Sequence, residues 1–330
     1  MTKNLYPLKF EPMLQYRIWG GTRLTKLFEV PQPNDEPIGE AWVLSDRDDY
    51  LSIVANGILK GQSIHQVITR YHQEIFGKLA EHFTRFPLLL KFLDAKKMLS
   101  VQVHPSDKQK EYLPPTQHGK TEGWVVLEAG KESRIYAGLK PGTNAVSLQS
   151  AIEKNTIAYS LLGFIPKPGD AVFIPAGTVH SMGNDVMVFE VQQNSDVTFR
   201  LFDWNHIDTK TRKPRALQIP QAMACINFEK QNAGKVIPLP EFVKPVLKEL
   251  LFNCEQFEVW RLSGEKEFTV GTDDQPRVLV CIEGNGELEH NNIFYALAKG
   301  EVFLLPAIIG ICNFKPNSNI CLLEIAIPDL

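Results

Sequence analysis

The chain of 330 residues is 44% hydrophobic and 22% charged, a composition typical of one large or two ordinary globular domains. Its formal net charge of −3 and its pI of about 6.3 provide no general basic field, so nucleic acid is not expected as a partner. The longest apolar stretch contains Pro306 and is too short to cross a bilayer, and the N-terminus lacks the apolar run of a secretion signal. We therefore expect no membrane partner and a cytoplasmic location.

The cysteines favour the same compartment. All five lie in the last third of the chain, and no Cys-x-x-Cys pair occurs. Free thiols in a reducing cytoplasm account for this pattern, and a thiolate metal site is not expected.

The N-terminal part of the chain is predicted to combine strands and turns with one helical insertion. Glu40 lies in a segment with strand character, and the sequence alone favours an exposed edge position for its carboxylate. Apolar residues then recur at helical spacing, which predicts a helical insertion over about 61–83. Lys91 follows within an apolar run, where its charge is costly unless Asp94 or another carboxylate pairs with it.

Residues 99–104 alternate between apolar and polar side chains, which predicts a strand with two different faces. The polar face consists of Ser100, Gln102 and His104, and Pro105 ends the strand. In an open sheet such a face would meet water, whereas in a closed double sheet it can line a cavity.

Polar groups also follow the other predicted strands of the first two thirds of the chain. Lys120 and Glu122 share one face of the next strand, and Glu190 and Arg200 lie on two later strands. Helical segments are predicted within 143–162 and over 215–227.

A strand–turn–strand segment, residues 169–184, is the most informative part of the sequence. A short apolar strand ends at Pro175, Gly177 turns the backbone, and His180 begins the second strand. A histidine fixed by a rigid turn at the start of a strand has a defined direction, and this suits either a metal ligand or a buried structural residue.

From about residue 228 the pattern changes to a second all-β unit. Several prolines between 238 and 245 form a stiff connection, so we predict domains at 1–227 and 228–330. Gly300 and Pro306 repeat the spacing of Gly169 and Pro175, and the same register puts Ile311 where His180 stands. The second unit is therefore predicted to be a structural repeat that binds no metal.

His104, His180 and Glu122 form a set typical of zinc sites, because two neutral imidazoles and a carboxylate leave a position open for water or substrate. Iron or manganese would accept the same set. Gln102 is expected either to add a neutral oxygen ligand or to hold His104 in place.

The spacing of Gly169, Pro175, Gly177, His180 and Asn184 resembles the second motif of the cupin family, whose members are double-sheet jelly rolls that hold a metal. Four segments extend the resemblance to the type I mannose-6-phosphate isomerase family in its shorter bacterial form. They are Ser100-Val-Gln-Val-His-Pro, Lys120-Thr-Glu, Phe173-Ile-Pro-Ala-Gly-Thr-Val-His180, and the stretch from Glu190 through Asp196 to Arg200.

This resemblance implies a mainly β fold of two cupin-like jelly-roll units with helical insertions, the first unit catalytic and the second free of metal. It implies one Zn²⁺ per chain, held by the ligands Gln102, His104, Glu122 and His180. It also implies that Arg200 is the catalytic arginine, that Lys120 and Glu190 belong to the active site, and that Lys91 and Ser100 lie near the substrate.

The implied activity is the interconversion of mannose 6-phosphate and fructose 6-phosphate by proton transfer through an enediolate, with a sugar phosphate as the small-molecule partner. Glu190, Lys120 or a histidine would move the proton, and the sequence does not choose among them. The open alternatives are another metal-dependent cupin enzyme, such as an iron-dependent oxygenase, and a sugar-phosphate-binding cupin without catalysis.

One departure from the family pattern concerns the phosphate. Residue 206 is a histidine where this family usually has arginine. If that arginine helps to hold the phosphate, His206, Lys210 or Arg212 is expected to replace it. The sequence does not determine the oligomeric state.

Overall fold

A computed structural model describes residues 5–33, 36–115, 117–229, 233–242 and 244–329. The described chain is mainly β, as predicted, with several antiparallel sheets. Its helices are all short, and none in the described ranges has the length and apolar character needed to cross a membrane.

The strands in chain order are β1 (Leu8–Lys9), β2 (Met13–Gly21), β3 (Ile38–Leu44), β4 (Asp46–Arg47), β5 (Tyr50–Leu51), β6 (Leu88–Ala95), β7 (Val101–Val103), β8 (Glu122–Ala129), β9 (Arg134–Leu139), β10 (Leu161–Phe164), β11 (Ala171–Ile174), β12 (His180–Gly183), β13 (Val186–Gln193), β14 (Phe199–Phe202), β15 (Gly234–Val236), β16 (Leu239–Phe242), β17 (Leu247–Asn253), β18 (Glu258–Gly264), β19 (Phe268–Val270), β20 (Arg277–Glu283), β21 (Asn285–His290), β22 (Ile293–Ala298), β23 (Val302–Leu305), β24 (Cys312–Pro316) and β25 (Ile320–Ala326). The α-helices are α1 (Arg23–Leu27), α2 (Ile64–Arg70), α3 (His72–Phe76), α4 (Ala145–Glu153) and α5 (Ile219–Cys225).

The chain forms two compact units, which we name for their places in the sequence. The central unit consists of Leu14–Ala41 and Lys91–Val236, and the terminal unit of Met1–Met13, Trp42–Leu90 and Ile237–Leu330. The chain passes from one unit to the other within β3 and again within β6. The functional boundary at residue 228 stays a prediction.

Two larger sheets form the framework of the central unit. In the described residues, one sheet has the order β15-β11-β8-β13-β6-β3-β2 and the other the order β10-β9-β12-β7-β14. The sheets face each other, since Glu122 of β8 and His180 of β12 approach within 3.3 Å.

The space between these sheets is apolar away from the polar groups. Side chains from both sheets form one core cluster there, including Trp124, Val172, Ile135 and Met182. A second cluster covers the outer face of the five-stranded sheet, which contains β7 and β14. It combines Val101 and Leu201 of that sheet with Leu148 of α4 and Ala222 of α5. Because apolar side chains pack on both of its faces, this five-stranded sheet is a rigid support for the polar groups on its inner face.

Capping residues in the sequence explain where α2 and α4 begin. Ser63 caps α2 through a capping box, in which its hydroxyl accepts from the backbone N–H of Gln66 and the Gln66 side chain accepts from the Ser63 N–H. Asn144 and Ser147 form the equivalent box at α4. These caps satisfy backbone donors that the first turn of a helix leaves without partners.

The described residues of the terminal unit form two larger sheets and the two-stranded sheet β4-β5. In its described residues the orders are β1-β23-β20-β25-β18-β17-β16 and β19-β24-β21-β22. An apolar cluster with members from both larger sheets, including Leu279, Leu322, Phe303 and Phe314, packs between them.

Candidate active site

Three neighbouring strands of the central unit carry a row of polar side chains. His180 of β12 is paired with Gln102 of β7, and Gln102 is paired on its other side with Arg200 of β14. Directly paired residues of an antiparallel sheet project from the same face, so these three side chains lie side by side.

The turn before β12 fixes the start of this row. Gly177 has φ +84°, a conformation that glycine adopts without strain. Its N–H donates to the carbonyl of His104 at 2.8 Å, so the backbone near one histidine is bonded to the turn that leads to the other. The sequence signal of Pro175 and Gly177 therefore has a structural basis.

His104, Glu122 and His180 converge at one point, and one ligand atom from each lies within 4.8 Å of the others. Nε2 of His104 is 3.5 Å from Oε2 of Glu122, and Nε2 of His180 is 3.3 Å from Oε1. Each of the three residues is only 1% exposed. Three such groups from different strands form a metal-binding arrangement in a dry environment.

Hydrogen bonds fix the orientation of both imidazole rings. Nδ1 of His104 donates to the carbonyl of Val197 at 2.8 Å, and Nδ1 of His180 donates to the carbonyl of Thr178 at 2.9 Å. A carbonyl oxygen only accepts, so Nδ1 carries the proton in each ring and Nε2 presents its lone pair to Glu122.

The pKa values favour neutral rings. Burial lowers the pKa of His104 well below its usual value, and the Lys120 ammonium lowers it further. Burial lowers the pKa of His180 to about 4. Neutral imidazole is the form that binds metal ions.

Some buried atoms of this group lack hydrogen bonds. Across the described ranges, no donor bonds to Oε1 of Glu122 and no partner bonds to Nε2 of His104. Buried polar atoms without partners are costly, and atoms that point to a common centre suit a ligand at that centre.

Gln102 lies beside this group and is held by Ser100. The Ser100 hydroxyl donates to Oε1 of Gln102 at 3.0 Å, and Nε2 of Gln102 is 3.2 Å from Nε2 of His180. In this orientation the amide donates to the lone pair of His180. A rotation of the amide by 180° would present its oxygen instead.

Lys120 stands on the other side of Glu122, immediately before β8. Its ammonium is 3.1 Å from Oε2 of Glu122, and the residue is 4% exposed. Burial lowers the pKa of Lys120, but the carboxylates of Glu122, Glu190 and Asp196 outweigh it, so the pKa is raised overall. Lys120 is therefore a cation at neutral pH.

Lys91 of β6 is the centre of a second ionic cluster. Its ammonium is 3.5 Å from Asp196, 3.6 Å from Glu190 and 4.0 Å from Glu40, and the residue is 1% exposed. Asp94, the neighbour considered from the sequence, instead binds Arg23. Residues three positions apart in a strand project from opposite faces, so Lys91 pairs with carboxylates of other strands and not with Asp94.

Glu190 of β13 is held by Trp124, whose indole N–H donates to Oε2 at 2.9 Å. Burial raises the pKa of Glu190, and the nearby Glu122 carboxylate raises it further. A carboxylate with a raised pKa is a stronger base than a solvated one.

Arg200 extends the row from Gln102. Its Nε is buried and bonds to no partner within the described chain, and its backbone N–H donates to the side chain of Gln218 at 3.1 Å. Burial lowers the pKa of Arg200, and Arg215 lowers it further. An arginine remains protonated at neutral pH even so, and an anionic ligand would stabilise its charge.

All these groups border an open cavity of about 450 Å³, apart from the more deeply set His104, Glu122 and His180. This volume is typical of a small-molecule site. The sequence reasoning did not single out several other residues that line the cavity, namely Tyr16, Arg17, Trp124, Asp196 and Arg215.

The expectation for Glu40 is wrong. Glu40 is 8% exposed, lines the cavity and accepts from Arg17 Nε at 3.0 Å and from Nη2 at 2.9 Å. Strand alternation gives the face of a side chain but not whether another sheet covers that face, so the pattern could not separate these two outcomes.

The three basic residues considered for the phosphate lie outside the cavity lining. His206 is 3.8 Å from Asp203, and the ammonium of Lys210 is 2.6 Å from Glu36. Arg212 is exposed on a turn with φ +54°. Arg215, a few residues further along, borders the cavity instead.

Comparisons with known proteins identify the family. Residues 7–122 match the model of the phosphomannose isomerase type I catalytic domain, and residues 251–320 match the model of the mannose-6-phosphate isomerase cupin domain. The second match confirms the cupin resemblance in the C-terminal part, where no motif histidine is present.

Curated relatives match over nearly the whole chain. Mannose-6-phosphate isomerase ManA of Bacillus subtilis is 34% identical over 313 residues, which cover 94% of this chain and 95% of the relative. Mannose-6-phosphate isomerase of Streptococcus mutans is 33% identical over 317 residues, which cover 95% and 96%.

Solved structures agree in fold. The crystal structure of the Bacillus subtilis mannose 6-phosphate isomerase has a TM-score of 0.87 at 30% identity and covers 97% of this chain and 99% of its own. A Salmonella typhimurium phosphomannose isomerase mutant has a TM-score of 0.77 at 17% identity, with 98% and 100% covered, which shows the same fold. The chain is an isomerase that belongs to the type I mannose-6-phosphate isomerase family.

Proposed function

We propose that this protein interconverts mannose 6-phosphate and fructose 6-phosphate with one bound divalent ion, zinc, per chain. The observation that carries the proposal is the convergence of His104, Glu122 and His180 beside a cavity that contains Arg200, in a chain of this family. Together these features supply a metal site, a fixed cation and room for a hexose phosphate.

The donor set fits a zinc ion. Two neutral imidazoles present Nε2, and a buried carboxylate has an oxygen without a hydrogen bond in the described chain. Zinc accepts imidazole nitrogens and carboxylate oxygens as ligands, and catalytic zinc sites keep a position for water or substrate. Iron and manganese accept similar ligands, so the choice of zinc is part of the proposal.

Gln102 is proposed as a fourth ligand through its amide oxygen. The present amide orientation directs N–H toward the lone pair of His180, and a bound ion would compete for that lone pair. Rotation of the amide would direct Oε1 to the ion, and Ser100 can then accept from the amide nitrogen, because a hydroxyl is both donor and acceptor.

The bound ion would supply Lewis acidity toward the oxygens at C1 and C2 of the substrate. Arg200 is proposed to add a fixed positive charge where the enediolate carries its negative charge. Its guanidinium is well suited because no described carboxylate forms an ion pair with it.

Glu190 is proposed as the group that moves the proton between C1 and C2. Its raised pKa makes it a stronger base, and Trp124 fixes one oxygen while the other has no hydrogen bond in the described residues. Lys120 is less suited to act as the base because its raised pKa keeps it protonated. Lys120 is proposed to donate to a substrate oxygen.

Lys91 and Ser100 are proposed to contact the substrate or to hold the groups that do. Lys91 balances the charge of Glu190, and Ser100 holds the amide of Gln102. All of these proposed roles fall within residues 1–227, so we also propose that this part is catalytic and that 228–330 is structural and free of metal.

The test is a coupled assay on mannose 6-phosphate with elemental analysis of the same preparation. We expect a chelator to remove the ion and the turnover together, and one equivalent of zinc to restore both. Full activity in a verified metal-free sample would overturn the metal role. Binding of mannose 6-phosphate without turnover would favour the non-catalytic cupin, and activity that requires iron and dioxygen would favour an oxygenase.

A further inference from the structure

Three guanidinium groups line the cavity, and one of them has no carboxylate partner in the described chain. Arg17 pairs with Glu40 and Arg215 with Asp203, whereas no described acidic group lies within ion-pair distance of Arg200. Arg215 lies in the segment after β14, and its side chain is 18% exposed. Like charges that border one cavity repel each other unless an anion lies between or beside them.

Arg215 is held in one orientation by Asp203. Its Nε and Nη2 donate to the two carboxylate oxygens of Asp203, a bidentate pair, and Asp203 is 6% exposed. Burial raises the pKa of Asp203, but the nearby His206 and the hydrogen bonds from Arg215 lower it further than burial raises it, so the carboxylate stays charged. Nη1 of Arg215 donates to no residue of the described chain, so its N–H groups are available to a ligand.

We propose that Arg215, positioned by Asp203, binds the phosphate group of the substrate. A planar guanidinium matches the geometry of two phosphate oxygens, and a dianion bound to Arg215 would offset its repulsion with Arg200. This inference rests on the proposed function, because that function provides a substrate with a phosphate.

The sheet provides the required separation between the two ends of the substrate. Neighbouring strands lie about 4.8 Å apart, so the strand of Arg200 is roughly 10 Å from that of His180. A hexose 6-phosphate carries its reacting carbons at one end and its phosphate at the other. With the reacting end between His180 and the Arg200 guanidinium, the phosphate extends beyond Arg200 to Arg215, which follows β14 at the edge of this sheet in the described residues.

The other basic residues nearby already have acidic partners or lie outside the cavity lining. The ammonium of Lys210 is 2.6 Å from Glu36 and 4.0 Å from the centre of the Tyr16 ring. His206 packs toward the same Asp203 that holds Arg215, and Arg212 is exposed. Arg17 lines the cavity, but Nε and Nη2 of its guanidinium donate to the carboxylate of Glu40.

The test compares Arg215→Gln with Lys213→Gln, an exposed residue of the same segment whose replacement removes the same charge. Inorganic phosphate is titrated calorimetrically into the metal-loaded protein, and KM and kcat are measured for mannose 6-phosphate. We expect Arg215→Gln to weaken phosphate binding and to raise KM roughly 10- to 100-fold, as for loss of a charged hydrogen-bonded pair. We expect kcat to change much less, and Lys213→Gln to leave all three values unchanged.

Removal of Arg215 leaves Asp203 buried without its partner, so Arg215→Lys serves as a second variant that keeps the charge but loses the bidentate geometry. Its phosphate affinity is expected to lie between wild type and Arg215→Gln. Unchanged phosphate affinity in Arg215→Gln, or an equal loss in Lys213→Gln, would overturn the inference. Loss of kcat with unchanged KM in Arg215→Gln would do the same.

The outcomes separate this inference from the proposed function. Wild-type protein without turnover, whose phosphate affinity nevertheless depends on Arg215, would refute the isomerase reaction and support the anion site. Normal turnover and unchanged KM in Arg215→Gln would refute the anion site and leave the isomerase reaction intact.

Discussion

Two segments of this molecule have a similar strand–turn–strand arrangement but differ in their side chains. Residues 169–184 contain β11 and β12, and residues 300–315 contain β23 and most of β24. Each begins with glycine and has proline six positions later. In each, a glycine with positive φ precedes the second strand, Gly177 at +84° and Gly310 at +69°.

The two segments differ in the side chains at the start of the second strand. His180 begins β12, is 1% exposed and is flanked in the sheet by Gln102. Ile311, at the equivalent position in sequence, is 57% exposed, and the next residue, Cys312, begins β24 with Val270 as its sheet neighbour. The inward positions of β24 are thus apolar.

A similar strand–turn–strand arrangement therefore supports either a polar site or a hydrophobic core. In the central unit the inward row is polar and borders a cavity, whereas in the terminal unit Cys312 and Phe314 join a packed apolar cluster. The turn fixes the direction of the strand, and the inward side chains decide its use.

The largest expected difference between the segments concerns the metal. His180→Ala should lower the bound zinc far below one per chain and reduce turnover on the order of 10³-fold, since the ion is proposed to stabilise the developing oxyanion. Ile311→Ala should change neither value. Elemental analysis and the coupled assay measure both. A second stoichiometric ion in residues 228–330, or metal content that survives in His180→Ala, would break the contrast.

The sheet row offers a second test. Arg200→Ala should lower kcat by about 10²–10³-fold, the usual cost of removing one group that stabilises a developing oxyanion, while zinc stays near one per chain. Val270→Ala changes the sheet neighbour of Cys312 and should alter stability without lowering kcat. Unchanged kcat in Arg200→Ala would remove this residue from its proposed role.

The apolar segment should respond in stability. Phe314 is fully buried in the terminal core, and Phe314→Ala should reduce the free energy of unfolding by about 3–5 kcal/mol. Folded protein should still bind one zinc per chain. Denaturant unfolding measures the first quantity and elemental analysis the second. Loss of zinc from the folded variant would show that the terminal core also supports the metal site.

The smallest expected effect is a pH dependence of Cys312, the residue that begins β24. Burial raises the pKa of this thiol to about 11, above its value of about 8.5 in an unfolded chain. The folded state then holds the proton more tightly, so the stabilising contribution is complete below about pH 8.5 and is lost as the pH rises toward 11. Between pH 8 and 10, Cys312→Ala should lose less unfolding free energy than wild type; an identical decline would contradict the assignment.

Much of the candidate site follows from local sequence patterns. Alternation in residues 99–104 gave Ser100, Gln102 and His104 a common face, and the proline–glycine turn gave His180 a defined direction. The predominance of strands was equally visible from short apolar runs between turn residues. These features are local, because the pleat and the turn are set by residues within a few positions of one another.

Other parts of the site depend on contacts between distant segments. The burial of Glu40, the three carboxylates around Lys91 and the approach of Arg215 to the cavity come from strands and loops far apart in the chain. No periodicity in the sequence encodes which strands become neighbours or which loop covers a sheet face.

The sequence by itself determined the strands, the turn before His180 and the set of groups able to bind a metal. Only the tertiary structure decided that His104, Glu122 and His180 meet, which imidazole nitrogen each ring presents and which arginine borders the cavity. The physical reason is that the pairing of strands and the facing of two sheets bring together residues whose separation along the chain carries no local signal.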